Sequence, residues 1–87
     1  MKVFLLVLDF SIDGTHDSNV EVYATRKAAQ KAMKEQFNAT LPEYKESYAE
    51  EDIEFDEPFD NGAQISLRDN YSEKHDEWCI VEKEVIE

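Results

Sequence analysis

The sequence is poor in several residue types, and each shortage excludes a class of protein. Its one cysteine, Cys79, excludes an internal disulfide framework and a multi-cysteine zinc site. Its two glycines, Gly14 and Gly62, lie in no phosphate-binding or dinucleotide-binding motif. Its longest apolar run, residues 3–8, is far shorter than the roughly 20 residues that a membrane-spanning helix needs. These absences favour a cytoplasmic protein that uses no cofactor.

Basic residues are also scarce, and their scarcity is uneven along the chain. The chain has 9 Lys and Arg against 21 Asp and Glu, which gives a net charge of -12. That sign opposes direct binding to nucleic acid and to an anionic membrane surface, because both are negatively charged. Residues 1–39 hold five charges of each sign, whereas residues 40–87 hold four bases and sixteen acids. The net charge is therefore a property of the second half of the chain.

The apolar pattern predicts a single α+β domain over residues 1–87. Residues 2–10 are apolar on both alternating faces, which is typical of a central strand covered on two sides. Residues 19–23 resume a two-residue period and should pair back as a second strand. A second hairpin is expected from residues 63–68 and 77–86. The whole predicts a four-stranded antiparallel sheet, built as a β-hairpin, one or two helices and a β-hairpin, with the helices on one face.

The helical region is expected to begin after Thr25, whose hydroxyl can cap a helix N-terminus. Residues 26–39 then have the spacing of an amphipathic helix. Pro42 should end or kink this helix near Thr40, because its ring clashes with the carbonyl four residues earlier. A capping box from Thr40 to Glu43 predicts a short second helix over residues 42–49.

The doubly apolar first strand raises the question of what covers its second face. One face carries Val3, Leu5 and Val7, and the other carries Phe4, Leu6, Leu8 and Phe10. If helices cover one of these faces, the apolar side chains of the other still need a partner. Either the apolar side chains of residues 50–60 fold across them, or another chain does. A homodimeric structural or regulatory domain is therefore one alternative for this protein.

Residues 50–60 are the most unusual segment, with seven acids in eleven positions. In an extended chain Asp52, Glu54 and Asp56 would project on one side about 6.6 Å apart. Fixed carboxylates at that spacing can present a field like that of a nucleic-acid backbone to a basic groove. The candidate partner-binding carboxylates are Glu50, Glu51, Asp52, Glu54, Asp56, Glu57 and Asp60, and the candidate aromatic anchors are Phe55, Phe59, Tyr71 and Trp78. The alternative is a solvated loop that only keeps the protein soluble.

The residues suggest two other kinds of site. The segment from Asp9 to Asp17 resembles the first half of an EF-hand loop, but Val20 stands where a bidentate glutamate is needed. A weak divalent-cation site is thus an alternative, and a simple hairpin turn is the competing interpretation; we expect no metal ligands. Cys79 and His75 could form a thiolate pair, yet Cys79 lies in an apolar strand where a buried, inert thiol is expected. With no catalytic signature in the chain, we expect no catalytic residues and no enzyme.

Three stretches of the chain carry a resemblance: the opening MKVFLLV, the return NVEVYATRKAAQKAM and the closing EWCIVEKEVIE. They resemble small acidic proteins of unassigned function from gut bacteria and their phages. In size and acidity the chain is also similar to phage-encoded inhibitors of CRISPR and restriction systems, several of which imitate nucleic acid. Neither resemblance carries over functional residues. Together with the acidic segment they imply a non-enzymatic interaction protein that presents carboxylates to a basic, nucleic-acid-processing partner.

Overall fold

The computed structural model describes residues 1–12, 14–67 and 74–86. In chain order its elements are β1 (Lys2–Ile12), β2 (Thr15–Tyr23), α1 (Arg26–Ser47), a 3-10 turn (Glu50–Asp52), β3 (Ile53–Phe59), β4 (Gly62–Leu67) and β5 (Lys74–Glu84). All the strands are antiparallel and form one sheet in the order β2-β1-β5-β4-β3. The α+β class, the antiparallel sheet and the helix on one face agree with the sequence-based prediction.

The helix covers one face of the sheet and builds the core there. The Thr25 side chain accepts a hydrogen bond from the Ala28 N–H at 3.1 Å, which caps the first turn as predicted. The buried core residues are Leu6, Ala29, Met33, Phe37, Tyr44, Ile53, Ala63, Ile65, Trp78 and Ile80. The rings of Phe37 and Trp78 meet edge to face with centroids 5.8 Å apart, which ties the helix to the middle of the sheet.

The prediction of one or two helices resolves to one, because Pro42 lies inside α1 and does not end it. The Thr40 hydroxyl donates to the Gln36 carbonyl at 2.8 Å, within the helix, so the capping box that predicted a second helix does not form. A proline in a helix interior costs about 3 kcal/mol relative to alanine. Continuing the helix buries Tyr44 completely, and burial of a large aromatic side chain offsets a cost of that size.

The prediction of four strands was wrong by one, because residues 53–59 form a strand. This segment pairs with β4 from Ile53 opposite Leu67 to Phe59 opposite Gly62, with a bulge between Asp56 and Phe59. The acidic segment is thus the edge of the sheet, and it does not fold across the first strand. Its charges, its proline and its bulge are features that protect an edge strand from pairing with another chain.

The second face of the sheet carries no covering element among the described residues, and we call it the open face. Its centre is Leu5, which lies opposite Val22 on β2 and Val81 on β5. Two residues further along β1, Val7 lies opposite Val20 on β2 and Cys79 on β5. The apolar second face predicted for the first strand is therefore present, and within the described chain it remains uncovered.

Candidate partner-binding surfaces

The acidic edge consists of seven exposed carboxylates held on ordered backbone: Glu50, Glu51, Asp52, Glu54, Asp56, Glu57 and Asp60. The first three form the 3-10 turn, the next three lie on β3, and Asp60 lies in the turn that leads into β4. Asp60 adopts the left-handed conformation with φ of 54°, which aspartate tolerates better than most residues. These carboxylates are therefore positioned by secondary structure and by a tight turn.

The predicted row of Asp52, Glu54 and Asp56 is broken at its first member. Asp52 lies in the 3-10 turn, so only Glu54 and Asp56 lie two residues apart on one strand and share a face. The alignment requires an extended backbone at all three residues, and the turn before β3 removes Asp52 from it.

The sheet instead builds a row of acids that runs across the strands. Asp56 lies opposite Gln64, Gln64 lies opposite Glu77, and Glu77 lies opposite Asp9, all on the open face. The Gln64 amide donates to the Asp56 carboxylate at 2.7 Å. Neighbouring strands are about 4.8 Å apart. We call Asp9, Glu77 and Asp56 the acidic row. This row joins the acidic edge to the centre of the sheet. The linear sequence gives no sign of it.

Few cations compensate these charges. The ion pairs of the described residues join Glu82 to Lys2 and Arg26, Glu84 to the N-terminal ammonium, and His75 to Glu77. Glu54 makes a further contact and is not counted here. In the described parts of the chain, the other carboxylates of the acidic edge have no lysine or arginine within salt-bridge distance. Their field therefore reaches solvent largely unneutralised.

The four predicted aromatic anchors have different placements. Phe59 is 85% exposed, and Phe55 is 41% exposed with its ring 6.0 Å from that of Phe37. Trp78 is 1% exposed, and its indole N–H donates to the Gln36 side chain at 3.0 Å, so the prediction that it contacts a partner is wrong. Tyr71 lies outside the described residues. Two aromatic rings thus remain available beside the acidic edge.

Three polar contacts beside the core, all made by two helix side chains, give no signal in the sequence. The Gln36 amide accepts from Trp78 and donates to the Glu21 carboxylate, so one helix side chain joins β2 to β5. The buried Tyr44 hydroxyl donates to the Asp76 carboxylate at 2.6 Å. Burial, and then the hydrogen bond to Asp76, raise the pKa of Tyr44 far above its ordinary value.

The alternative metal site does not assemble. Asp9 lies on the open face, whereas Asp17 pairs with Phe10 on the opposite face of the hairpin, so their carboxylates diverge. Asp13, between them, lies outside the described residues. No group of three or more His, Cys, Asp or Glu side chains in the described ranges could hold a metal ion.

The alternative thiol site is also not assembled. Cys79 is exposed on the open face, so the expectation of a buried thiol was wrong; the strand is apolar on both faces, but only one face is covered. His75 lies four residues away on the same strand, a separation of about 13 Å, and instead contacts Glu77 at 3.2 Å. That separation is too long for a hydrogen-bonded thiolate pair.

No protein-family model matches the chain, and no match was found among curated proteins or solved structures. In the parts of the chain that the structure describes, no helix is both long enough and apolar enough to cross a membrane.

Proposed function

We propose that this is a non-enzymatic interaction protein whose acidic edge binds a basic surface of a nucleic-acid-processing protein. In this proposal the carboxylates occupy the site where that partner would otherwise hold DNA or RNA phosphates. One observation supports it above all: the acidic edge is fixed on a turn, a strand and a tight turn, and described cations neutralise little of it.

The ordered backbone of the acidic edge supports this proposal because it lowers the entropic cost of binding. A flexible acidic loop would lose conformational entropy on docking, whereas carboxylates already held on a sheet lose less.

The exposed aromatic rings give the same surface an apolar contact. Phe59 lies between Glu57 and Asp60 in sequence and is 85% exposed, which is unusual for a phenylalanine. Aromatic side chains that become desolvated often dominate binding energy, while surrounding charges contribute mostly to the association rate and to specificity. In this proposal Phe59 anchors the complex and the carboxylates steer it.

The class of partner follows from the resemblance to phage-encoded inhibitors together with the surface. A basic nucleic-acid-processing protein of a host defence system fits both, and the free thiol of Cys79 suits an encounter in the cytoplasm. The two-step test is to recover proteins bound to the immobilised chain at low salt, and then to measure whether the chain displaces labelled duplex DNA from them.

The decisive comparison uses two triple variants with equal net charge. Glu51→Lys, Asp56→Lys and Glu57→Lys reverse the acidic edge, and Glu35→Lys, Glu43→Lys and Glu46→Lys reverse exposed acids of the helix.

We expect the first triple variant to weaken binding at least about tenfold, because three favourable exposed pairs become unfavourable. The helix variant should bind nearly as the parent does, apart from the general effect of net charge. Equal losses in the two variants, or no displacement of DNA by the parent protein, would contradict the proposal.

A further inference from the structure

The open face is divided between an apolar half and an acidic half. Successive side-chain repeats along β1 on this face are Val3, Leu5, Val7 and then Asp9. Around the first three the neighbouring strands add Val20, Val22, Cys79 and Val81, and we call these seven residues the apolar half. Its valines on β2 and β5 are strongly exposed, with Val22 at 63%, Val20 at 52% and Val81 at 44%. An apolar sheet surface of this kind is normally covered in a stable protein.

The charged residues of the open face lie at opposite ends of the apolar half. Lys83 lies opposite Val3 at one end of the apolar half, on the open face. Asp9 and Glu77 lie opposite each other at the other end. A surface that is positive at one end, apolar in the middle and negative at the other end is complementary to itself when it is turned end to end.

We propose that the open face binds a second copy of this chain, and that the two sheets pack face to face with their strands antiparallel. The two-fold axis passes across the strands at Leu5, so that Leu5 and Val81 each face their own counterparts. Lys83 then faces Cys79 of the second copy, and Glu77 of that copy is one side-chain repeat further along, about 6.7 Å. An extended lysine side chain spans that distance, so the dimer contains two symmetry-related Lys83–Glu77 pairs.

The alternative two-fold arrangement is excluded by charge. If the axis ran along the strands, each acidic row would lie against the same row of the second copy, with Asp9 facing Asp9. Like charges held opposite each other are unfavourable. In the antiparallel arrangement the acidic edges instead project from opposite ends, which also limits the repulsion between two chains of net charge -12.

The facing area suits a weak dimer. With the axis at Leu5, β1 and β5 each face their own counterparts over five side-chain repeats of about 6.7 Å, and β2 does so at Val22. At about 4.8 Å between strands, this covers roughly 350 Å² of sheet per copy and on the order of 700 Å² for the two copies together, an area typical of weak interfaces. Dissociation in the upper micromolar range is therefore expected, and packing of two sheets with their strands roughly aligned is a common arrangement.

Sedimentation velocity over a range of protein concentrations tests this directly. The parent protein should pass from monomer to dimer as concentration rises, and a monomer throughout the micromolar range would overturn the proposal. Val22→Lys adds a charge to the apolar half and should leave a monomer. Ala28→Lys makes the same charge change at an exposed position on the helix and should dimerise like the parent. Circular dichroism shows whether each variant is folded.

A charge exchange tests the antiparallel arrangement itself. Lys83→Glu and Glu77→Lys should each weaken the dimer about fivefold, because each disrupts two exposed ion pairs. The double variant restores opposite charges and should return to within about twofold of the parent. Failure of the double variant to recover would overturn this arrangement. Both substitutions are at exposed positions, so the result does not depend on a disrupted core.

Cys79 provides an independent readout because it is the only cysteine and lies on the open face. Its rate of reaction with a thiol reagent should fall as the protein concentration rises, and an unchanged rate would contradict the dimer. Added salt separates this inference from the proposed function. Binding to a basic partner weakens steeply with salt. Self-association changes little, because salt screens the repulsion between the two acidic chains as well as the two Lys83–Glu77 pairs. The dimer needs no partner, so either proposal can fail alone.

Discussion

Removing the Tyr44 hydroxyl should change both the stability of the protein and its dependence on pH. Tyr44 lies in α1, fully buried, and its hydroxyl donates to Asp76 at 2.6 Å. A hydrogen bond to a charged group contributes about 1.5–3 kcal/mol. Asp76 is only half-buried, so water replaces part of the lost bond. We therefore expect Tyr44→Phe to lower the free energy of unfolding by about 1.5 kcal/mol at neutral pH.

The pH dependence follows from the raised pKa of Tyr44, whose first cause is burial and whose second is the bond to Asp76. The folded state holds the phenolic proton more tightly than the unfolded state does. This contribution is fully present below the unfolded pKa of about 10 and is lost as the pH rises above it, by about 1.4 kcal/mol per pH unit. The Tyr44→Phe protein has no phenolic proton at this position, so its stability does not fall for this reason. The unfolding free energies of the two proteins should therefore become equal at about pH 11.

Urea unfolding followed by fluorescence of Trp78, the only tryptophan, measures both effects. Tyr48→Phe is the matched control, since the Tyr48 ring lies 6.3 Å from that of Tyr44 but its hydroxyl bonds to no described residue. We expect that control to change stability by less than about 0.5 kcal/mol. A Tyr44→Phe protein as stable as the parent at neutral pH, or a constant difference between them up to pH 11, would refute the reasoning.

Two further substitutions test the helix. Gln36→Leu leaves the buried indole N–H of Trp78 without its acceptor, and should cost about 1–3 kcal/mol in urea unfolding, whereas Gln30→Leu, at a more exposed contact with Asp60, should cost under 1 kcal/mol. Pro42→Ala should raise the midpoint of thermal unfolding, because alanine recovers part of the roughly 3 kcal/mol cost of an interior proline. Two results would contradict these expectations: an equal loss of unfolding free energy in the two glutamine variants, or a lower melting midpoint for Pro42→Ala.

Local patterns predicted the parts of the fold that depend on neighbouring residues. The apolar alternation of residues 2–10 and the Thr25 cap identified the central strand and the start of the helix. Pro42 was misread because the burial of Tyr44, which outweighs the proline, is a tertiary effect. The fifth strand was missed because residues 53–59 combine many acids and a proline, a composition that indicates a loop until pairing with β4 is known.

The candidate surface was predictable in composition but not in shape. The acids of residues 50–60 could be counted, and the structure places them on one edge of the sheet. The acidic row could not be anticipated, because its members come from three strands and only the register brings them together. The exposure of Cys79 and the burial of Trp78 depend on which face the single helix covers, and the alternation along β5 alone does not decide that.

In the proposed function, the fixed carboxylates of the acidic edge compete with nucleic acid for a basic protein surface. Displacement of labelled duplex DNA from the recovered partner, measured at several salt concentrations, tests it most directly. Displacement by the parent protein should weaken steeply with salt and should be lost when Glu51, Asp56 and Glu57 are reversed to lysine. Displacement that is insensitive to both salt and the reversal would contradict it.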